Sequence, residues 1–331
     1  MIRETDVVVL GAGVSGLTCA VRLAEAGLRV LVRSNLSSAR TTSCAAGAIW
    51  GPHLVAHDRA EDWALQSLEV FRELAEDPGV TGVRMLWGVE AGRGAGRIPP
   101  PGPGAEGVRE CDSAALPPGY TNGWRYRVPL IDMTRYLAYL TARLLRSGGE
   151  ITVDRLITPA ELPGLGPIVV NCTGLGAREL VPGETIRPVR GDLLVLDNPG
   201  ITTFFVEADE TPAGARPADG LTTYVLPQGD RVMLGGSLYD GEWSTAEDPV
   251  IRQAILDRCT EAEPLLAGAR FIEHRVGLRP VRDEVRIGPD ERHPHVIHDY
   301  GHGGGGVTLS WGCAEEVLQF TGAAAHTTRR G

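Results

Sequence analysis

The stretch "DVVVLGAGVSGLTCAVRLAEAGLRVLV", residues 6–32, constrains this chain more than any other. Residues 6–10 are a short apolar run, suited to a buried parallel strand. Gly11, Gly13 and Gly16 follow in Gly-x-Gly-x-x-Gly spacing. Val14, Leu17, Val21 and Ala24 then recur at helical spacing, Gly27 stops the helix, and "RVLV" opens a second strand. This is a β-α-β unit with a dinucleotide fingerprint in the context that the fingerprint requires. Gly11 permits the tight turn, Gly13 has no side chain to block a pyrophosphate, and Gly16 lets helix and strand pack closely. The helix N-terminus offers N–H groups and a partial positive charge to phosphates. Gly11, Ala12, Gly13, Val14, Ser15 and Gly16 are therefore the candidate phosphate cradle.

The fingerprint does not say which dinucleotide. An acid at the end of the second strand usually holds a ribose hydroxyl. Here Arg33 and Ser34 stand at that place. Arg33 fits either a 2′-phosphate, which points to NADP, or a solvated surface charge.

At 331 residues the chain has room for two domains. A net charge of −10 leaves no basic footprint for nucleic acid or an anionic membrane surface. No run of apolar residues is long enough to span a bilayer. No signal peptide fits before residue 6, and the chain does not end in Ser-Lys-Leu. Six scattered cysteines without a Cys-x-x-Cys pair suggest reduced thiols in a cytoplasmic protein.

Further along, "GRGAGRIPPPGPGAEG" within residues 92–120 reads as a mobile loop. Residues 132–147 read as an amphipathic helix capped by Asp132. "IVVNCTG" at 168–174 is a buried strand entering a tight turn. From about 182 to 237 separate strands suggest an antiparallel sheet, and residues 248–266 read as a helix. His293, His295, His298 and His302 are irregularly spaced around Pro294, so they are assigned no metal.

Seven stretches, in order and over nearly the whole chain, resemble blocks of D-amino-acid oxidases. They are "VVVLGAGVSGL", "RTTSCAAGAIWGP", "VVNCTGLGA", "RPVRGDLLVL", "YVLPQGDRVMLGGSLYDGEWS", "VGLRPVRDEVRIGPD" and "VIHDYGHGGGGVTLSWGCAEE". The last is the most specific, although Asp299 stands where that signature usually has Asn, His or Ala. The resemblance implies non-covalent FAD rather than NADP. It implies a D-amino acid and oxygen as substrates, with a 2-oxo acid, ammonia and hydrogen peroxide as products. The implied fold is α/β: a Rossmann-like FAD-binding domain with a discontinuous α+β substrate domain built on an antiparallel sheet. Residues 1–50, 140–182 and 268–331 would form the first, and 51–139 and 183–267 the second. A homodimer is compatible with this arrangement.

By the same resemblance, Arg279 would grip the substrate carboxylate, for which only a guanidinium offers a planar bidentate fork. Arg282 is the competing arginine. Tyr224 would support the same carboxylate, and the Gly304 carbonyl would accept from the substrate amine. Arg33, Ser34, Arg40, Thr41, Thr42, Ser43, Ala46, Gly47, Thr173 and Gly174 would contact FAD, together with Arg279. Gly303, Gly306, Val307 and Thr308 would meet the isoalloxazine, with a helix starting near Val307 and aimed at its N1–C2=O side. Gly305 would open space. If the α-hydrogen leaves as hydride to flavin N5, no general base is needed. An active-site lid is expected to be short or missing before Tyr224. Trp50, Trp243 and Tyr239 are candidate walls of the site. A D-aspartate oxidase remains the nearest alternative: Leu238 speaks against it, while Arg216 keeps acidic substrates open. An NADP-dependent dehydrogenase is the more distant alternative, followed by glycine or sarcosine oxidation and a non-catalytic flavin-binding protein.

Overall fold

The computed structural model describes residues 5–51, 53–94, 96–155, 157–208 and 220–328. Arg216 and the segment expected to carry the lid lie outside the described residues. Fourteen strands join in one hydrogen-bonded sheet. In chain order the strands are β1 (Val7–Leu10), β2 (Val30–Ser34), β3 (Val83–Gly92), β4 (Glu106–Glu110), β5 (Asn122–Ile131), β6 (Glu150–Val153) and β7 (Ile168–Asn171). They continue as β8 (Arg187–Asp197), β9 (Phe204–Glu207), β10 (Leu221–Gln228), β11 (Arg231–Ser237), β12 (Tyr239–Asp240), β13 (Phe271–Pro289) and β14 (Val296–His302). The helices are α1 (Val14–Glu25), α2 (Ala60–Leu74), α3 (Pro78–Thr81), α4 (Met133–Arg146), α5 (Ala177–Leu180), α6 (Pro249–Ala262) and α7 (Gly306–Thr328).

The sheet runs β4-β5-β3-β9-β10-β11-β8-β13-β14-β7-β1-β2-β6, with β12 paired to β8. Its β14-β7-β1-β2-β6 end is parallel. In β1 and β7 every residue is buried, as strands covered on both faces must be. The β10-β11-β8-β13 part is antiparallel, as the alternating strand signals between 182 and 237 suggested. The nineteen-residue β13 joins the two parts, pairing with β8 up to Val281 and with β14 from there onward.

Local chemistry explains the helix boundaries. Asp132 accepts from the Arg135 N–H and caps α4 as expected. Asp248 caps α6, which ends at Ala262 just before Pro264 rather than running to 266. The expected loop at 92–120 is corrected in part, because β4 forms within it on the edge of β5.

The helix α7 is locked to its neighbours. Trp311 Nε1 donates to the Tyr136 hydroxyl at 2.8 Å, and Ser67 Oγ accepts from the Trp311 and Gly312 N–H groups at 3.1 Å each. A Cβ on Gly312 would overlap Trp63 of α2, so a bare residue permits this close crossing.

Candidate active site

The glycine fingerprint folds as its physics requires. Gly11 has φ +103°, and a Cβ there would stand 2.5 Å from the Cys172 carbonyl oxygen. A Cβ on Gly16 would overlap the Gly11 carbonyl, so Gly16 serves packing and does not face the cavity. The first N–H of α1, on Val14, donates to Ser43 Oγ at 3.0 Å. Residues 42–45 are thereby pinned beside the cradle.

A cavity of roughly 1490 Å³ opens here. That exceeds the ~300–1,000 Å³ typical of small-ligand pockets and suits a dinucleotide plus a substrate. It runs from Arg33, Ser34 and Thr158 past Gly11–Ser15 and Thr41–Gly47 to Tyr224, Arg279 and the Gly303–Thr308 turn. Of the residues expected to contact FAD, Arg40 and Gly16 do not line it. Arg40 is exposed at the end of a short 3-10 turn.

At the nucleotide end, Arg33 is ion-paired with Asp154 at 2.9 Å. Asp154 follows β6, next to the end of β2, and its N–H donates to the Ser34 carbonyl at 2.8 Å. An acid is thus present at the second strand end after all, supplied by the neighbouring strand. Arg33 is thus a solvated charge held in an exposed ion pair.

At the other end, the two candidate arginines differ in place. Arg279 lines the cavity, and its guanidinium donates to the Ser237 carbonyl at 3.0 Å and the Arg190 carbonyl at 3.3 Å. A Cβ on Gly191 would overlap that guanidinium, so Gly191 is what admits it. Arg282 points elsewhere and binds Glu184 at 2.9 Å.

A buried network stands behind Arg279. Arg190 donates to both Asp192 oxygens, at 2.7 and 3.0 Å. The Ser237 hydroxyl donates to Asp192 at 2.6 Å, and His274 Nε2 lies 2.9 Å from it. Burial alone would raise the Asp192 carboxyl, but Arg190 and Ser237 outweigh it and hold the pKa below the ordinary range. Nothing in the sequence pattern marked this network. Its members span residues 190–274 and meet only through strand pairing.

Tyr224 packs its ring against Gly47, Gly235 and Gly236. Burial pushes its phenol up to about 12 against the pull of the Arg279 charge, so the hydroxyl stays a neutral donor.

The glycine run is crowded by the protein itself. Gly303 has φ +54°, and a Cβ there would overlap the Leu54 carbonyl oxygen. A Cβ on Gly304 would stand 2.7 Å from the His53 ring, and one on Gly305 would meet Val55 at 3.2 Å. Gly305 therefore opens no free space, because Val55 occupies it. Ala48 and Leu54 in this facing segment have positive φ, a strained conformation of a kind that gathers at functional sites. The Thr308 hydroxyl is engaged with Gly51, donating to its carbonyl at 2.9 Å and accepting from its N–H at 3.1 Å. Gly306, Val307 and Thr308, the first residues of α7, line the cavity, and the first N–H groups of a helix have no intrahelical partners.

Of the three candidate walls, only Trp50 lines the cavity. Its indole donates to the Ala64 carbonyl within the core. Trp243 is 48% exposed under Arg178, away from the cavity. Tyr239 stands against Gly220 and also lies off the cavity wall. Asp299 is fully buried, accepting from the Cys19 thiol at 3.3 Å and lying 3.1 Å from His302 Nε2. His298 lies between Asn171 and Asp290, and His295 Nε2 lies 2.9 Å from the Pro163 carbonyl.

A glycine turn at a helix N-terminus, a large cavity and an arginine at its far end are what a dinucleotide-dependent oxidoreductase requires. Residues 6–319 match the FAD dependent oxidoreductase family, and the chain belongs to it. It is similar to a D-amino-acid oxidase of Streptomyces coelicolor, 47% identical with 96% of this chain and 97% of that one covered. A D-amino-acid oxidase of Rubrobacter xylanophilus is 44% identical, with 96% of each covered. A human D-aspartate oxidase is 32% identical, with 98% of this chain and 96% of that one covered. The fold is shared with a glycine oxidase structure from Geobacillus kaustophilus at 17% identity and TM-score 0.79, covering 97% of this chain and 95% of that one.

Proposed function

We propose that the chain is an FAD-dependent D-amino-acid oxidase, converting neutral D-amino acids to 2-oxo acids, ammonia and hydrogen peroxide. The observation that carries the reading is Arg279 beside Tyr224 in the same cavity as the Gly11–Ser15 cradle. In this reading Gly11–Ser15, Ser43 and Thr173 hold the pyrophosphate side of FAD, and the Arg33–Asp154 pair meets its adenosine end. Gly303, Gly306, Val307 and Thr308 meet its ring at the α7 N-terminus, where a helix end stabilises negative charge. FAD, when bound, supplies the acceptor for the α-hydrogen as hydride, and oxygen regenerates it.

The chain's own residues align the substrate. Arg279 grips the carboxylate, held in place from behind by Ser237 and the Asp192 network. Tyr224 donates a further hydrogen bond. The Gly304 carbonyl accepts from the amine. With carboxylate and amine both fixed, the single α-hydrogen of a D-amino acid faces the ring, whereas in the L-enantiomer hydrogen and side chain exchange places. No side chain is required as a base. Loss of the α-hydrogen as hydride and of an amine proton to solvent leaves an imino acid, which water converts to the 2-oxo acid and ammonia.

Neutral side chains are favoured over acidic ones because Leu238, where a second arginine would help a D-aspartate oxidase, is buried against Val189 and Val281. Six free thiols fit the cytoplasm. We divide the chain into FAD-binding residues 1–50, 140–182 and 268–331, with the remainder forming the substrate side.

The test is Arg279→Lys with D-alanine. Losing the bidentate fork should lower kcat/KM about 100-fold, chiefly through KM. An unchanged KM would remove Arg279 from the carboxylate site.

A further inference from the structure

The wall opposite the carboxylate clamp carries an acid that the proposed reaction does not use. Glu90 on β3 stands directly across from Val206 on β9, and Val206 directly across from Tyr224 on β10. Directly opposed residues share one face of a sheet, so the three side chains form a row. All three line the cavity. Two strand spacings separate the ends of the row, about 10 Å.

The Tyr224 ring leans away from Glu90. Its hydroxyl reaches over Gly235 and Gly236 of β11, and a Cβ on Gly236 would stand 2.9 Å from its oxygen. Arg279 is on that same side, bonded to the carbonyl of Ser237, the next residue of β11. A carboxylate gripped by Arg279 and Tyr224 therefore lies towards β11 and β8. Val206 and Glu90 are left for the far end of the substrate side chain.

Glu90 is an unexpected group there. The adjacent row on the same face is apolar, with Phe204 and Leu226 buried in the core. Glu90 accepts a hydrogen bond from the Tyr126 hydroxyl at 3.1 Å and has no ion-pair partner among the described residues. The nearby Glu207 is already tied to Arg93 at 2.8 Å. Burial holds the Glu90 carboxyl above its ordinary range, and the Tyr126 donor acts the other way. An acid in that state gains from an arriving cation or donor.

We propose that Glu90 is a specificity-determining residue that selects D-amino acids with long side chains ending in a cation or strong hydrogen-bond donor, and that it repels acidic ones. The proposal rests on the oxidase reading and widens its substrates from neutral to cationic side chains. With the carboxylate on Arg279, the chain of D-lysine or D-arginine extends past Val206 to Glu90. The methyl of D-alanine stops short of it. D-Norleucine matches much of the D-lysine chain without the charge.

The experiment compares kcat/KM of the FAD-loaded protein for D-alanine, D-lysine, D-norleucine and D-glutamate, in wild type and in Glu90→Gln. Wild type should favour D-lysine over D-norleucine at least 10-fold and show the lowest kcat/KM with D-glutamate. In Glu90→Gln the ratio of D-lysine to D-alanine should fall at least 10-fold, mainly through the KM of D-lysine. Wild type that oxidises D-norleucine or D-glutamate as well as D-lysine would overturn the proposal without need of a variant. So would a variant in which all four substrates fall together, since that marks a merely structural carboxylate. Wild type that oxidises none of the four overturns the oxidase reading itself, and the proposal with it.

Discussion

Single residues in this chain act through what lies behind them. Arg279 is aimed by Ser237 and Gly191, and Ser237 by Asp192. Glu184 shows the same logic outside the cavity. Its carboxylate accepts from the Tyr300 hydroxyl at 2.6 Å, from Arg282 at 2.9 Å and from the Thr185 N–H at 2.8 Å. It thereby ties the start of β8 to β13 and β14. Burial opposes its ionisation, but the Tyr300 and Arg282 hydrogen bonds win and hold its pKa below the ordinary value. A carboxyl depressed in the folded state adds stability above its unfolded pKa of about 4.3, and that stability is lost as pH falls through the folded value. Glu184→Gln should therefore cost about 1–3 kcal/mol at pH 7. Urea unfolding across pH should show the gap to wild type closing below about pH 4. A gap constant down to pH 3 would mean that Glu184 contributes only through shape.

Among the elements, the β1–α1–β2 unit was the most legible, because its strand, glycines and helix are contiguous and each residue's reason is local. The start of α7 was legible to within a residue. What crowds the glycine run was not. The segment at 53–55 lies some 250 residues away in sequence and meets Gly303–Gly305 only in the folded chain. The same holds for Thr308, whose hydroxyl partner is Gly51, and for Glu90, whose row exists only through the pairing of β3, β9 and β10. Asp154 was hidden because it closes the second strand end from a different strand. The tight contact at Gly303 yields a sharp expectation. Gly303→Ala must displace the Leu54 carbonyl and adopt positive φ, a cost of about 1–3 kcal/mol at the site. Tm should fall by several degrees, and FAD affinity, measured by fluorescence of released flavin, should weaken at least 10-fold. A variant with wild-type Tm and affinity would show that the 53–55 segment yields freely.

Across the whole molecule, one sheet does two jobs. Its parallel end carries the glycine turn before α1 at the strand C-termini, the usual place for ligands of such sheets. Its other part carries Arg279, Tyr224 and Glu90 on β13, β10 and β3, all lining the same cavity. The long β13 links the two, so the cavity lies where nucleotide-binding and substrate-facing surfaces meet. On the proposed reading, a D-amino acid would lie between a carboxylate clamp and the ring of FAD. The most direct measurement is the visible spectrum of the FAD-loaded protein under anaerobic conditions, before and after D-alanine or L-alanine. The flavin bands should bleach with D-alanine and stay unchanged with L-alanine. Bands unaffected by any D-amino acid, or bleached equally by the L-form, would contradict the proposed alignment of substrate in this cavity.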